Sequence, residues 1–303
     1  MRAKLPGVLV ALVLLAGGVA ACGDSSDTEA SSGGAKIVVA SFESPESQVL
    51  AQIYGAALKS AGATVEYRLR LGSPEVVAPA LEKGEIDLVP AYLGQFLGFL
   101  DPSKTTGLTT PQALEALHAA AAPKGLTVAE AAPAANSDVI AVTKDLATQY
   151  ALKTISDLKK LPSPITLAGP IECATSETCL VGLRSTYGLD VALTPIPDDQ
   201  GGSLTKETLK KVEAQVGRLA SSDPDTAKGG KYVVLEDDKA FQQPGNIVPV
   251  VRTAKATPAL LDVLNRVSEA LTTEKLAELN EKAVEDKEDP AAVAAGFLET
   301  EKL

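Results

Sequence analysis

The residues able to do covalent chemistry are few and poorly grouped. The single histidine, His118, lies in the run Leu117-His118-Ala119-Ala120. A nucleophile needs a partner base, most often an imidazole, and this setting reads instead as a partly exposed helix position. No Gly-x-Ser-x-Gly elbow occurs. Nor does a phosphate-cradling glycine loop ending in Lys-Ser or Lys-Thr. The adjacent acids Asp198-Asp199 and Asp237-Asp238 read as solvated loop residues of an acidic chain. Cys173 and Cys179, with five residues between them, are expected to form a disulfide in an oxidising compartment. Such a bridge would brace a small loop. Two thiols without a nearby histidine do not complete a zinc shell. No catalytic residue, metal or cofactor is therefore expected, and the residues point to noncovalent binding.

Binding of that kind needs loops held by a rigid frame, and the chain supplies one. Short apolar runs suited to buried strands alternate with capped amphipathic segments. Ile37–Ala40 is followed by a helix start at Ser44-Pro45-Glu46, a hydroxyl cap with proline in the first turn. Thr64–Leu69 alternates as a second strand. A helix opens at Ser73-Pro74-Glu75, contains Pro79 where a kink is expected, and stops at Gly84. Ile86–Pro90 is the third strand. The resulting β-α-β-α-β order defines an α/β sheet. Further strands are expected at Leu126–Val128, Val139–Val142, Ile165–Gly169, Tyr232–Leu235 and Ile247–Val251. Helices are expected after Thr110-Pro111, over Lys206–Leu219, and in the C-terminal stretch from Thr257-Pro258. In open α/β sheets ligands sit beyond the carboxyl ends of strands, beside helix N-termini. That places candidate loops at Ser41–Glu46, Leu71–Glu75, Pro90–Gln95, Ala135–Asp138 and Gly169–Glu172.

The N-terminus sets the compartment. Arg2 and Lys4 precede an apolar run over Val8–Leu15, and small residues lead to Val19-Ala20-Ala21-Cys22. This is a secretory signal whose end meets a cysteine. It looks like a bacterial lipobox, with Cys22 as the acylated first residue of an extracytoplasmic, membrane-anchored protein. The run is short for a membrane span and is broken by Gly17 and Gly18. Residues 22–35, rich in Ser, Gly and Asp, read as a flexible tether. Loss of Arg2 and Lys4 with residues 1–21 takes the formal charge from −11 to −13. Such a balance excludes a nucleic-acid partner, which requires a cationic footprint. The remaining chain is long for one core and suits two lobes. Crossings are expected near Ala131–Ala135 and Gln243–Asn246, giving lobe I as 36–135 plus 246–303 and lobe II as 136–245.

From Lys36 onward the chain resembles the glycine betaine/choline/osmoprotectant-binding proteins of ABC importers. Gly84-Glu85-Ile86-Asp87-Leu88-Val89-Pro90-Ala91-Tyr92-Leu93-Gly94 is similar to that family's Gly-Glu-Ile-Asp-Leu-x-Pro-Glu-Tyr-Thr-Gly. Leu152–Leu158, Leu235–Lys239, Val248–Arg252, Leu264-Asn265, Leu271–Thr273 and Leu279-Asn280 are similar to later phrases. The resemblance implies a two-lobe type II periplasmic-binding-protein fold with a hinge and an interlobe cleft. It also implies a small polar solute of osmoprotectant type, permease and ATPase partners, and no enzymatic activity. A monomer is expected.

The same comparison marks the expected ligand contacts as Tyr92, Phe42, Ser44, Ser73, Asn136, Asp138 and Asp223. Each has a plainer reading. Tyr92 and Phe42 would otherwise pack in the cleft wall and core, Asn136, Asp138 and Asp223 would form turns or caps, and Ser73 would cap its helix. Glu46 is read as a first-turn acid facing the helix dipole. The family usually holds a quaternary ammonium in an aromatic cage, yet several cage phrases have changed. Phe-Thr-Glu is Ser44-Pro45-Glu46, Asn-Asn-Thr-Tyr is Ala135-Asn136-Ser137-Asp138, Phe-Pro-Pro-Tyr is Phe241-Gln242-Gln243-Pro244, and Ser-Thr-Asp-Gly is Ser221-Ser222-Asp223-Pro224. The scaffold carries over better than the cage. The alternatives are therefore a same-fold receptor for a polyol, phenolic or other hydroxylated solute, and a surface lipoprotein acting through protein contacts.

Overall fold

The computed structural model describes residues 36–104, 106–197, 202–227 and 230–303. The signal, Cys22, the tether and Asp198-Asp199 lie outside the described residues. The strands are β1 (Lys36–Ala40), β2 (Thr64–Arg68), β3 (Leu88–Tyr92), β4 (Leu126–Val128), β5 (Asp138–Thr143), β6 (Ile165–Pro170), β7 (Val191–Ile196), β8 (Val216–Ala220), β9 (Tyr232–Val234) and β10 (Ile247–Arg252). The α-helices are α1 (Pro45–Ser60), α2 (Pro74–Lys83), α3 (Leu93–Leu100), α4 (Thr110–Ala121), α5 (Lys144–Tyr150), α6 (Leu180–Ser185), α7 (Ser203–Lys210), α8 (Pro224–Ala227), α9 (Pro258–Ala270), α10 (Thr273–Asn280) and α11 (Pro290–Glu301). Among the described residues no helix is long and apolar enough to cross a membrane.

Two five-stranded sheets result, in the orders β2-β1-β3-β10-β4 and β7-β6-β8-β5-β9. They share one plan. In the first, β1 runs parallel to β2 and β3, while β10 is antiparallel to β3 and β4. In the second, β6 runs parallel to β7 and β8, while β5 is antiparallel to β8 and β9. The antiparallel member of each sheet is the strand that enters directly from the other sheet.

Pleating sets the two faces of the first sheet, because successive side chains point to opposite sides. Ile247 and Val251 of β10 join a core with α1, α9, α10 and α11. Val248 and Val250 join a second core with α2, α3 and α4. The second sheet repeats the scheme: Ile140, Val142, Leu167 and Val216 face one core, and Val139, Ala141, Ala168 and Leu219 the other. This is the two-lobe α/β fold. Asp87 ties the first lobe together, its Oδ1 accepting Arg252 Nη2 at 2.7 Å and its Oδ2 the Val38 amide at 3.0 Å.

The expected helix over Lys206–Leu219 is overturned. Helix α7 ends at Lys210, and Val216–Ala220 is strand β8, placed between β6 and β5. The break falls at Val212, an exposed β-branched residue with φ of +60°, a conformation that ends a helix. Gly217 then leaves room for the helix, since a Cβ there would come within 2.7 Å of Leu209 Cδ1. Strand β7 and helix α3 went unread. Residue Pro79 sits inside α2.

Two crossings join the sheets side by side. Ala135 and Asn246 form an antiparallel bridge, the Asn136 amide donates to Gly245 O at 3.0 Å, and the Ile247 amide donates to Ala134 O at 3.0 Å. Here the chain passes from one sheet to the other and back.

Candidate functional site

A cleft of about 490 Å³ opens beside the crossings. The carboxyl ends of parallel strands from both sheets reach it: Ser44 follows β1, Tyr92 ends β3, Pro170 ends β6, and Arg218 and Ala220 lie in the last part of β8. The crossings contribute Asn136, Ser137, Asp138 and the Gln242–Gly245 turn. Ligands of open α/β sheets collect where strands end and helices begin.

Each wall residue is positioned locally. Ser44 caps α1, its Oγ accepting the Ser47 amide at 3.2 Å, and also lines the cleft. Tyr92 presents the one aromatic ring among the described lining residues. Its hydroxyl donates to Glu46 Oε1 at 2.6 Å. Burial, and then the adjacent Glu46 carboxylate, push the phenol well above its usual pKa, so it stays a neutral donor. Phe42 lies behind this wall, 94 % buried, its ring stacked on Tyr92 with centroids 6.1 Å apart. Asn136 lines the cleft, but its Nδ2 donates to Glu46 Oε1 at 2.8 Å.

Glu46 is therefore a junction. Besides Tyr92 and Asn136, its Oε2 accepts the Ser222 hydroxyl at 3.0 Å and Asn280 Nδ2 at 2.5 Å. Four segments distant in sequence meet on one carboxylate that is 95 % buried. The helix-dipole reading of Glu46 left this out. Its one sequence signal was an acid inside a proline-led helix start.

On the opposite wall Asp138 of β5 forms a hydrogen-bonded ion pair with Arg218 of β8. Arg218 was missed because its segment was read as helix. Gln242 also lines the cleft, and its buried Nε2 has no hydrogen-bond partner among the described residues. Glu172 and Thr178 come from the loop closed by the Cys173–Cys179 disulfide.

Two expected contacts are placed elsewhere. Asp223 is outside the cleft lining; its Oδ2 accepts Lys206 Nζ at 2.8 Å, and its Oδ1 accepts the Asp225 amide at the start of α8. The short polar turn after β8 favours a cap over a ligand contact. Ser73 is exposed outside the lining and hydrogen-bonds the Glu75 carboxylate, which holds that acid below its usual pKa. No cluster of three or more metal-ligating side chains exists among the described residues.

Comparison with known proteins bears on the fold and the family. A family model described as the substrate binding domain of ABC-type glycine betaine transport system matches residues 35–300. YehZ, a glycine betaine-binding protein of Escherichia coli, is 25% identical over 266 residues, 84% of this chain and 86% of that protein. The carnitine transport binding protein OpuCC of Listeria monocytogenes is 26% identical over 289 residues, 91% of this chain and 88% of that one. A crystal structure of a glycine betaine/carnitine/choline ABC transporter superposes with a TM-score of 0.78 at 22% identity, covering 89% of this chain and 98% of that one. Apo YehZ from Escherichia coli superposes with a TM-score of 0.74 at 23% identity, covering 88% and 98%. At these identities the two structures establish the shared fold.

Proposed function

This chain belongs to the family of substrate-binding domains of ABC-type glycine betaine transport systems, and we propose that it captures a small polar solute in the cleft between its two sheets and delivers it to the permease. Proteins of this family bind small solutes, work with a permease and an ATPase, and catalyse no reaction. The single observation that carries the reading is the cleft beside the paired crossings, walled by strand ends from both sheets. Residues 36–135 with 246–303 act as one lobe and 136–245 as the other. The two connections are short and adjacent, so a few backbone angles there can absorb closure. Tyr92, Ser44, Asn136 and Asp138 are the contacts carried over from the sequence reading, with Arg218 and Gln242 added. Phe42 supports the Tyr92 ring from behind.

The amino-terminal pattern supports an extracytoplasmic protein anchored through a lipid on Cys22. Fatty-acid labelling should be lost in Cys22→Ala.

The test is calorimetric titration of the mature protein with glycine betaine, choline, carnitine, ectoine, proline, polyols and sugars. Small-angle scattering should run alongside. A bound solute should shrink the radius of gyration, and Tyr92→Ala should weaken binding at least 10-fold. Binding without compaction, or no binding by any solute class, would overturn the receptor reading.

A further inference from the structure

We infer that the solute is an uncharged molecule carrying several neighbouring hydroxyl groups, a polyol or sugar, recognised by the Arg218–Asp138 pair and Gln242, and not a quaternary ammonium; this rests on the cleft being the solute site. The first ground is the fate of the aromatic residues. The chain has six tyrosines, five phenylalanines and no tryptophan, and all eleven lie in described segments. Tyr54, Tyr67 and Phe297 pack in the α1 core of the first lobe. Phe42, Phe96 and Phe99 pack on the other face of that sheet. Tyr150, Tyr187 and Phe241 pack in one core of the second lobe, and Tyr232 in the other. Four of these are held by their hydroxyls as well, Tyr54 on Ser268 Oγ at 2.9 Å, Tyr67 on Gln52 O at 3.5 Å, Tyr187 on Asp237 Oδ1 at 2.5 Å and Tyr232 on Lys206 O at 2.9 Å. Tyr92 alone lines the cleft. A cage needs several ring faces within about 6 Å of the cation. Closing the lobes brings no second ring, because the others are core.

The second ground is what replaces the rings. Gln95, Asn136, Ser137, Thr178, Gln242 and Gln243 line the cleft. These side chains both donate and accept hydrogen bonds. A methylated ammonium group can do neither, and a betaine, carnitine or choline offers only its carboxylate or hydroxyl to them, so closing over it would strand several of these groups without water, at a cost for each. Gln242 Nε2 is buried without an acceptor among the described residues, and turning that amide toward the cleft on closure would let it donate to a guest hydroxyl. A site built of such groups rejects a guest that cannot satisfy them far more strongly than an apolar pocket rejects a poor fit.

The third ground is the ion pair. Arg218 and Asp138 neutralise each other across the wall. The guanidinium keeps donors beyond the one spent on Asp138, and the carboxylate keeps lone pairs. Donor and acceptor thus sit side by side, the complement of two adjacent hydroxyls that each donate and accept. A carboxylate guest would compete with Asp138 for Arg218, and a cationic guest would compete with Arg218 for Asp138. Two further carboxylates lie near: Glu172 is exposed at the lining and screened by solvent, and Glu46, behind Tyr92 and Asn136, is covered by four hydrogen-bond donors. The Tyr92 ring, fixed by its bond to Glu46, offers one flat face for the C–H side of such a guest. A cavity near 490 Å³ lies within the range of small-molecule sites.

The experiment titrates the mature protein with mannitol, myo-inositol and trehalose against glycine betaine, choline and carnitine. At least one hydroxylated solute should bind 100-fold more tightly than every quaternary ammonium. Arg218→Gln and, separately, Gln242→Leu should each weaken that solute at least 10-fold while the urea midpoint stays near that of the parent. If Arg218→Gln unfolds the protein, Gln242→Leu and Asp138→Asn carry the test. A quaternary ammonium binding more tightly than every hydroxylated solute would overturn the proposal and leave the receptor reading intact. Hydroxylated solutes whose affinity ignores all three variants would also overturn it. Silence from both classes would overturn this proposal, and the receptor reading falls with it only if ectoine and proline are silent too.

Discussion

Replacing Glu46 with glutamine probes the carboxylate on which four segments meet. Oε1 accepts Tyr92 and Asn136, and Oε2 accepts Ser222 and Asn280. Glutamine keeps one oxygen and sets an amide nitrogen where the other stood; the hydroxyl on that side can turn to accept from it, but the asparagine Nδ2 there faces a donor. A hydrogen bond to a charged acceptor contributes roughly 1.5–3 kcal/mol, the scale of losing the asparagine's bond. Rotation of exposed donors to water would recover part of this, but Glu46 and Ser222 are 5 % and 2 % exposed, so little water reaches the site. The expected loss for Glu46→Gln is therefore about 1.5–3 kcal/mol. Glu46→Ala should cost more, because all four donors lose their partner and a cavity opens. The chain has no tryptophan, so urea unfolding is followed by far-ultraviolet circular dichroism, with the slope checked for constancy. Solute affinity should fall in Glu46→Ala, where the Tyr92 hydroxyl loses its anchor. A loss below about 1 kcal/mol at unchanged slope, the size of one ordinary neutral hydrogen bond, would refute the claim that this carboxylate holds the junction.

Three further outcomes follow from the same kind of accounting. Asp87→Ala strands the Arg252 guanidinium and the Val38 amide and should lower stability by about 3–5 kcal/mol, measured by urea unfolding; an effect below about 1 kcal/mol would contradict it. Gly245→Ala places a Cβ on the backbone of Asn136 at the crossing, so it should destabilise the protein or abolish solute binding, and full retention of both would show that the crossings spread freely. Burial acts to raise the Asp225 carboxyl, but hydrogen bonds and charge from Lys231 and Lys206 override it and hold the pKa below the ordinary value. The unfolded chain titrates this group near ~3.9, so its contribution is fully present above that pH and fades as pH falls through the lower folded value. Asp225→Asn should lower the urea midpoint at pH 7 and flatten its decline from pH 5 to pH 3; an unchanged decline would contradict the assignment.

Much of the frame was written locally in the chain. Runs such as Ile37–Ala40 and Ile247–Val251 announce buried strands, and Ser44-Pro45, Thr257-Pro258 and Asp289-Pro290 announce helix starts, because strand burial and capping depend on residues a few positions apart. The alternation of such signals was enough for an α/β fold, and the phrase from Gly84 to Gly94 was enough for its family resemblance. Local reading failed between Lys206 and Leu219. There the choice between helix and strand rested on a left-handed turn at Val212 and on pairing with β6 and β5, more than 40 residues away in sequence. That error hid Arg218. The role of Glu46 was out of reach for the same reason: Asn280 lies 234 positions from it, and no periodicity or cap rule links them. Residues such as Asp223 and Ser73 have the right chemistry for a ligand, but their side chains are held by other partners, Asp223 by Lys206 and its own turn and Ser73 by Glu75. Sequence fixes which groups are available. Which of them face the cleft is decided by long-range packing, since only the folded chain determines which polar groups are already satisfied and which remain for a guest.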